Sequence, residues 1–212
     1  MKTNVYIDGF NFYYGCLKGK GKGLRWLNLS ALCALALPKD QINKIKYFTA
    51  RIKSRPNDPD KSVRQQTYLR ALATIPNISV IEGHYLEHPR RAPLITPLPD
   101  GTRFVDVTFT EEKGSDVNLA AHLLHDGHLG DYELAVVMSN DSDLVEPIKL
   151  VIQDLGLQVG VLNPHIDRKN PSVQLQQTAT FFKYIRKTDL QASQFPNEMT
   201  DAKGKFYKPP KW

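Results

Sequence analysis

The sequence predicts an α/β fold of three layers, in which helices cover both faces of a central, mainly parallel sheet. Apolar runs of strand length occur at 4–8, 134–138 and 159–162. Helical patterns with recognisable start and stop residues separate these runs. Strands that alternate with helices are joined by right-handed crossovers, which place parallel strands in one sheet. At 212 residues the chain suits one domain with appendages.

The first part of the chain is predicted to form a strand–helix–strand unit after the first strand. Residues 42–49 and 78–82 are β-branched or aromatic runs that favour strands. The helix between them is predicted to begin near Asp58, where an acid can cap and a proline fits the first turn. It is expected to stop before Pro76.

Residues 89–110 interrupt this alternation. Prolines lead to Asp100-Gly101 and then to an alternating apolar run, a pattern that indicates a β-hairpin. We therefore expect a hairpin insertion that leaves the core beside the sheet edge. The alternation then resumes with helix 115–125, strand 134–138, helix 143–155 stopped by Gly156, and strand 159–162.

The end of the chain differs from the rest, so we predict a domain over 1–190 and a tail over 191–212. The tail loses periodicity and mixes basic with aromatic residues up to Trp212. Such side chains can stack on nucleic-acid bases. The commoner outcome for a terminus is disorder or loose docking, and that is the expectation here.

Composition favours a polyanionic partner in a reducing compartment. The chain has 28 Lys and Arg against 22 Asp and Glu, a net charge of +6, which attracts nucleic acid. Cys16 and Cys33 lack metal-ligand spacing and support no disulfide framework. The absence of an apolar stretch of spanning length predicts no membrane insertion and a cytoplasmic protein. Whether the chain forms a homo-oligomer stays open.

Acidic residues follow or precede the predicted strands and helices at three places. Asp8 ends the first strand, Asp116 begins a helix, and Asp141 and Asp143 follow the strand at 134–138. Because such positions meet at one edge of a parallel sheet, we expect the acids to cluster. Clustered carboxylates repel one another unless a cation or a proton intervenes. Hard oxygen ligands without Cys or His partners predict Mg²⁺ or Mn²⁺.

Each acid also has a local interpretation. Asp141 and Asp143 can simply cap the following helix through its backbone amides. Asp116 suits the first turn of its helix because of the helix dipole. The combination of places, more than any one of them, favours a functional cluster.

Polar residues near these acids are predicted to bind a phosphate-bearing substrate. Lys113, with the amide of the next residue, can meet a phosphate. Ser139 and Asn140 stand beside the last acids. Arg51 and Arg64 can follow a phosphate backbone, although a solvated charged face is an equal alternative.

Three ordered motifs, VYIDGFN at 5–11, KGSDVNL at 113–119 and VVMSNDSDL at 136–144, carry a family resemblance. Together they resemble the NYN domains, a branch of the PIN-like nuclease superfamily, over about residues 4–186. The resemblance implies a PIN-like, Rossmann-like α/β/α fold and a metal-dependent ribonuclease.

The resemblance also implies roles for individual residues. Asp8, Asp116 and Asp141 correspond to the metal-binding acids. Asn11 matches the polar residue of the first motif and Asp143 a second acid of the last, which gives a catalytic set of five.

His122 departs from the pattern, because many such domains carry an acid there. By itself a lone helical histidine is more often structural. The resulting hypothesis is the hydrolysis of RNA phosphodiester bonds with Mg²⁺ or Mn²⁺. By analogy with the family, the expected products carry a 5′-phosphate and a 3′-hydroxyl. The alternatives are a non-catalytic RNA- or nucleotide-binding regulator that uses the same crevice, and a small-molecule phosphohydrolase.

Overall fold

The structure is a computed structural model, which describes residues 1–21 and 23–212. Within these residues a central sheet has the strand order β4-β3-β2-β1-β5-β6-β7. Every neighbouring pair in it is parallel except β3 with β4. The strands are β1 (Lys2–Asp8), β2 (Gln41–Ala50), β3 (Ile78–Pro93), β4 (Phe104–Lys113), β5 (Leu134–Met138), β6 (Gln158–Asn163) and β7 (Phe181–Tyr184).

Helices cover both faces of the sheet, so the predicted three-layer α/β/α fold is confirmed. They are α1 (Gly9–Phe12), α2 (Leu29–Ala36), α3 (Lys61–Leu72), α4 (Ser115–His128), α5 (Val145–Gln153), α6 (Val173–Thr178) and α7 (Lys187–Ala192). Strand β1 shows why helices are needed on both faces of the sheet. Val5 and Ile7 belong to the apolar core on one face and Tyr6 to the core on the other. The alternating side chains of a central strand are therefore buried on both sides.

The strand predicted at 78–82 and the hairpin predicted at 89–110 are one continuous structure. Residues 78–83 of β3 pair in parallel with β2, and residues 84–93 pair antiparallel with β4. The hairpin is confirmed, with Gly101 at φ +85° in its turn. It is longer than predicted and extends the sheet edge instead of leaving the core as a separate excursion. Strand β2 separates the base of the hairpin from β1, but Tyr85 and Glu112 at that base line the same cleft as Asp8 at the C-terminal end of β1.

The expectation of a disordered or loosely docked tail is wrong. Strands β8 (Glu198–Asp201) and β9 (Gly204–Tyr207) form a hairpin. Phe206 is buried and its ring lies 6.4 Å from that of Trp26, and Asp201 pairs with Arg70 of α3. Trp212 packs against Tyr68 with ring centroids 5.6 Å apart. Aromatic burial holds this segment, which has no regular apolar period.

Among the described residues, no helix is both long and apolar enough to cross a membrane.

Candidate active site

Asp8 lies at the end of β1, where the chain enters α1. Its Oδ1 accepts hydrogen bonds from the amides of Phe10 (3.1 Å) and Asn11 (3.0 Å), as an N-cap does. Gly9 is required here because a Cβ would lie 2.5 Å from the carbonyl oxygen of Phe48. Asp8 is buried, and this loss of water raises the pKa of its carboxyl group against the opposing effect of the bonds it accepts.

The loop after β5 is bonded directly to Asp8. Ser139 Oγ donates to Asp8 Oδ2 over 2.9 Å and accepts from the amide of Asp141 over 3.1 Å. The amide of Asn140 donates to Asn11 Oδ1 over 3.0 Å. The first and last motifs of the sequence are therefore joined, as their positions at strand ends predicted.

Asn140 fixes the far side of the same loop. Its Oδ1 accepts from Asn163 Nδ2 (2.7 Å) and from the amide of Ser172 (2.8 Å). Its Nδ2 donates to the carbonyl of Asn170, a residue with φ +48°. These bonds give Asn140 a positioning function, and its contact with a substrate stays a prediction.

Asp116, in the first turn of α4, faces the same cleft as Asp8 and Asp141, which has a volume of about 400 Å³. Restricted access of water raises the pKa of Asp116 to about 6, with further contributions from the charges of Asp8, Asp141 and Glu112. The three predicted metal-binding acids thus lie close enough to affect one another. Their direct binding of a metal stays a prediction.

Glu112 is a fourth acid of the cleft, and the sequence analysis missed it. Its Oε1 accepts from the amide (3.2 Å) and the hydroxyl (2.7 Å) of Ser115 at the start of α4. Glu112 is the last but one residue of β4, which is the same kind of position that singled out Asp8. Because the predicted hairpin ends at residue 110 and the predicted helix begins at 115, Glu112 falls in the connection between them. His165 also lines the cleft and was not predicted.

Asp143 is not brought into the cleft. Asp141 Oδ1 caps the turn at Ser142–Leu144 by accepting from the amide of Asp143 over 3.0 Å. The exposed side chain of Asp143 lines a neighbouring groove with Glu146 and Lys149. Asp141 therefore both caps the turn and faces the cleft, whereas Asp143 does neither.

The predicted phosphate-binding cations already have acidic partners. Lys113 Nζ lies 2.7 Å from Glu111, and Arg51 forms a bidentate ion pair with Glu82. Arg64 pairs with Asp58, so Asp58 does not serve as the predicted cap, and α3 begins only at Lys61. None of these three cations lines the acidic cleft. Their substrate contacts stay predictions.

His122 lies elsewhere, in a polar cluster between α4 and the sheet. Its Nδ1 is 3.1 Å from Lys46 Nζ, which also pairs with Asp126 over 2.6 Å. Tyr6 donates to Asp126 over 2.7 Å. Burial and the charge of Lys46 lower the pKa of His122, which favours its neutral form. A structural role accounts for these contacts.

An aromatic pocket of about 160 Å³ adjoins the cleft, and the sequence analysis did not predict it. Phe10, Tyr14 and Tyr85 line both the pocket and the cleft, and the rings of Phe10 and Tyr85 meet edge to face at 6.0 Å. Four more rings complete the pocket: Tyr13, Tyr47, Tyr68 and Trp212.

The donor chemistry of the cleft fits a hard divalent cation, because its acids offer only carboxylate oxygen. Over residues 1–21 and 23–212, however, no three His, Cys, Asp or Glu side chains are arranged to hold an ion among themselves. Asp8 also accepts three hydrogen bonds, which leaves little room for an additional ligand bond. Water or substrate oxygens would have to complete the shell, as is common for Mg²⁺.

The chain is 30% identical over 238 aligned positions to 6-hydroxy-3-succinoylpyridine 3-monooxygenase HspA of Pseudomonas putida, with 100% of this chain and 75% of that protein covered. The chain belongs to the HspA family. HspA is an enzyme by name, so the family includes an enzyme. No protein-family model matches the chain.

Among solved structures, a protein of unknown function from Vibrio parahaemolyticus is similar in fold, with a TM-score of 0.57 and 16% identity. The match covers 88% of this chain and 93% of that one. At this identity the likeness supports the α/β fold alone. Neither relative tests the resemblance to NYN domains.

Proposed function

We propose that this protein of the HspA family is a metal-dependent ribonuclease of the PIN-like type, which hydrolyses RNA phosphodiester bonds. One observation carries the proposal: Asp8, Glu112, Asp116 and Asp141, from four separate segments, face a single cleft at the sheet edge. Such a concentration of carboxylates is unfavourable without a cation to offset it. The net charge of +6 elsewhere on the chain favours a polyanionic substrate.

At least two of Asp8, Asp116 and Asp141 would hold Mg²⁺ or Mn²⁺, with water or substrate oxygens to complete the shell and Glu112 as a further acid. When bound, the cation would lower the pKa of water and offset charge that develops on the phosphate. The side chains of Asp8 and Asn11 are already oriented without a ligand. Asp8 accepts hydrogen bonds from two backbone amides, and Asn11 Oδ1 accepts one from the amide of Asn140. That preorganisation reduces rearrangement during reaction.

Asp116 makes cation binding dependent on pH. Its pKa of about 6 means that it carries a proton over part of the mildly acidic range. A cation must displace this proton, so affinity for the cation should fall below about pH 6. Near pH 8 the carboxylate is ionised and available.

A cleavage assay on mixed single-stranded and structured RNA, titrated with Mn²⁺ or Mg²⁺, tests the proposal. Cleavage should disappear with a chelator and return with added metal. Asp141→Asn should reduce turnover by on the order of 10²-fold or more, because it removes charge from the cleft with little change in shape. Asp154→Asn, an exposed acid at the end of α5, is the matched control and should be active.

Two results would count against the nuclease. Undiminished cleavage in a chelator would exclude the metal mechanism. RNA that is bound but uncut across a range of metals would favour the non-catalytic regulator.

A second candidate is a monooxygenase that acts on a substituted pyridine, as the name of HspA describes for that protein. The aromatic pocket beside the acids is the observation that favours it, because its walls are rings suited to stacking on another ring. In a monooxygenase reaction one atom of O₂ is bonded to a carbon of the substrate, and the other is reduced to water with two electrons from a reductant. Oxygen uptake with 6-hydroxy-3-succinoylpyridine and a reduced nicotinamide or flavin, in place of RNA cleavage, would select it.

A further inference from the structure

The aromatic pocket has the size for one small ring. Its volume is about 160 Å³. An engineered apolar cavity of about 150 Å³ in another protein accepts benzene, so a single six-membered ring is the matching occupant. Seven aromatic side chains line the space, and aromatic rings pair favourably with other rings edge to face or offset.

The charged side chains of the pocket indicate that its ligand also carries an anionic group. Arg25, Lys61 and Arg64 line the pocket together with one acid, Asp58. This excess of cations contrasts with the four carboxylates of the adjoining cleft. A ligand with a negative charge is therefore attracted to the pocket, and it is repelled from the cleft as long as no cation is bound there.

Arg64 supplies a specific donor for such a group. Its Nη2 pairs with Asp58, while its Nη1 is buried and, among the described residues, has no hydrogen-bond partner. A buried donor without an acceptor is unfavourable, and a guanidinium binds carboxylate and phosphate oxygens well. Within residues 1–21 and 23–212, Asp58 Oδ1 also lacks a hydrogen-bond partner, and it lies 3.9 Å from Lys211 Nζ.

We propose that the pocket binds a six-membered heteroaromatic ring that carries an anionic group, with Arg64 contacting that group. Phe10, Tyr14 and Tyr85 belong to both spaces, so the ring is held next to the acids of the cleft. The ring can come from a pyrimidine nucleotide or from a free hydroxypyridine acid. This ring-binding site does not depend on the proposed nuclease activity, so the absence of RNA cleavage would not argue against it.

The test measures dissociation constants by calorimetry with four compounds. Uridine 5′-monophosphate and 6-hydroxynicotinate are the two anionic rings, cyclohexanecarboxylate is an anion without an aromatic ring, and 2-pyridone is a ring without the charge. At least one anionic ring should bind about tenfold or more tightly than both controls, because stacking and a charged hydrogen bond each contribute. Preference for the nucleotide or for the pyridine identifies the source of the ring, and either supports the site.

Variants locate the binding. Tyr14→Ala should raise the dissociation constant of the preferred ligand about fivefold or more. Tyr207→Ala is the matched control, since the two tyrosines are 57% and 58% exposed and only Tyr14 lines the pocket. Both substitutions are at the surface, so neither should prevent folding.

Arg64→Gln tests recognition of the charge. It should remove most of the difference in affinity between the preferred anionic ring and 2-pyridone. Arg70→Gln on the same helix also loses an ion pair, with Asp201, but does not line the pocket and should preserve that difference. Failure of both anionic rings to bind, equal binding of cyclohexanecarboxylate, or an unchanged affinity in Tyr14→Ala would overturn the proposal. Ring binding without RNA cleavage would refute only the nuclease.

Discussion

Replacing Asp116 by asparagine tests whether the acids of the cleft repel one another. The pKa of Asp116 rises from 3.8 to about 6 in the folded protein. For a fully buried group this difference would correspond to about 3 kcal/mol of lost stability above pH 6. Part of Asp116 remains exposed to solvent, and screening there reduces the effect to about 1 kcal/mol. We therefore expect Asp116→Asn to raise the melting temperature by about 2–4 °C at pH 8.

The sign depends on pH. Between about pH 4 and pH 6 the folded protein retains a proton on Asp116 that the unfolded chain has released. Stability of the natural chain consequently falls as pH rises through this window, and the loss is complete above it. Asparagine has no such titration. The gain from Asp116→Asn should therefore be largest at pH 8 and nearly absent at pH 4.

The assay is thermal unfolding in chelator-containing buffer from pH 4 to pH 8. Asp106→Asn, at an exposed acid of β4 outside the cleft, is the matched control. Added Mn²⁺ should stabilise the natural chain at pH 8 more than Asp116→Asn, because the cation offsets the repulsion that the variant has already removed. An equal gain at both ends of the pH range, or the same gain in Asp106→Asn, would refute the reasoning.

Three further substitutions probe other parts of the molecule. Gly83→Ala should cost about 1–3 kcal/mol in chemical denaturation, because its Cβ would lie 2.5 Å from Glu112 Oε1 and from a backbone oxygen of β4; unchanged stability would show that the hairpin can shift. Phe206→Ala should cost about 3 kcal/mol by the same measurement if the C-terminal hairpin is packed as described, and a change below about 1 kcal/mol would contradict it. Arg51→Gln should reduce the salt slope of RNA affinity by about 0.7 if Arg51 leaves Glu82 to contact phosphate, and an unchanged slope would assign Arg51 to that ion pair alone.

The parts of the fold that the sequence predicted are those with a strong local signal. The run 134–138 is apolar at every position and is buried throughout as β5. Strand β7 and the two strands of the C-terminal hairpin are only four residues long each, and contacts distant in sequence stabilise them. Phe206, for example, is buried against Trp26. Single-sequence periodicity carries no information about such a contact.

The residues of the candidate site likewise include some that the sequence predicted and some that it did not. Asp8, Asp116 and Asp141 were predictable because each stands at a strand end or helix start, and these places meet at one sheet edge. Asp143 has the same sequence signal, but the turn that Asp141 caps directs it to a neighbouring groove. Glu112 was missed because the predicted hairpin ends at residue 110, whereas β4 continues to Lys113 and so places Glu112 near the strand's end.

The aromatic pocket was beyond prediction, since its rings come from segments as distant as Phe10 and Trp212. Its relation to the cleft nevertheless constrains any function. The two spaces share a wall that includes Tyr14 and Tyr85, but cations prevail in one and carboxylates in the other. For a ligand with one ring and one anionic group, these charges favour the orientation that places the anion near Arg64 and the ring edge towards the acids. Chemistry at the acids would then act on whatever is attached to that edge, whether a ring carbon or the next phosphate of a chain.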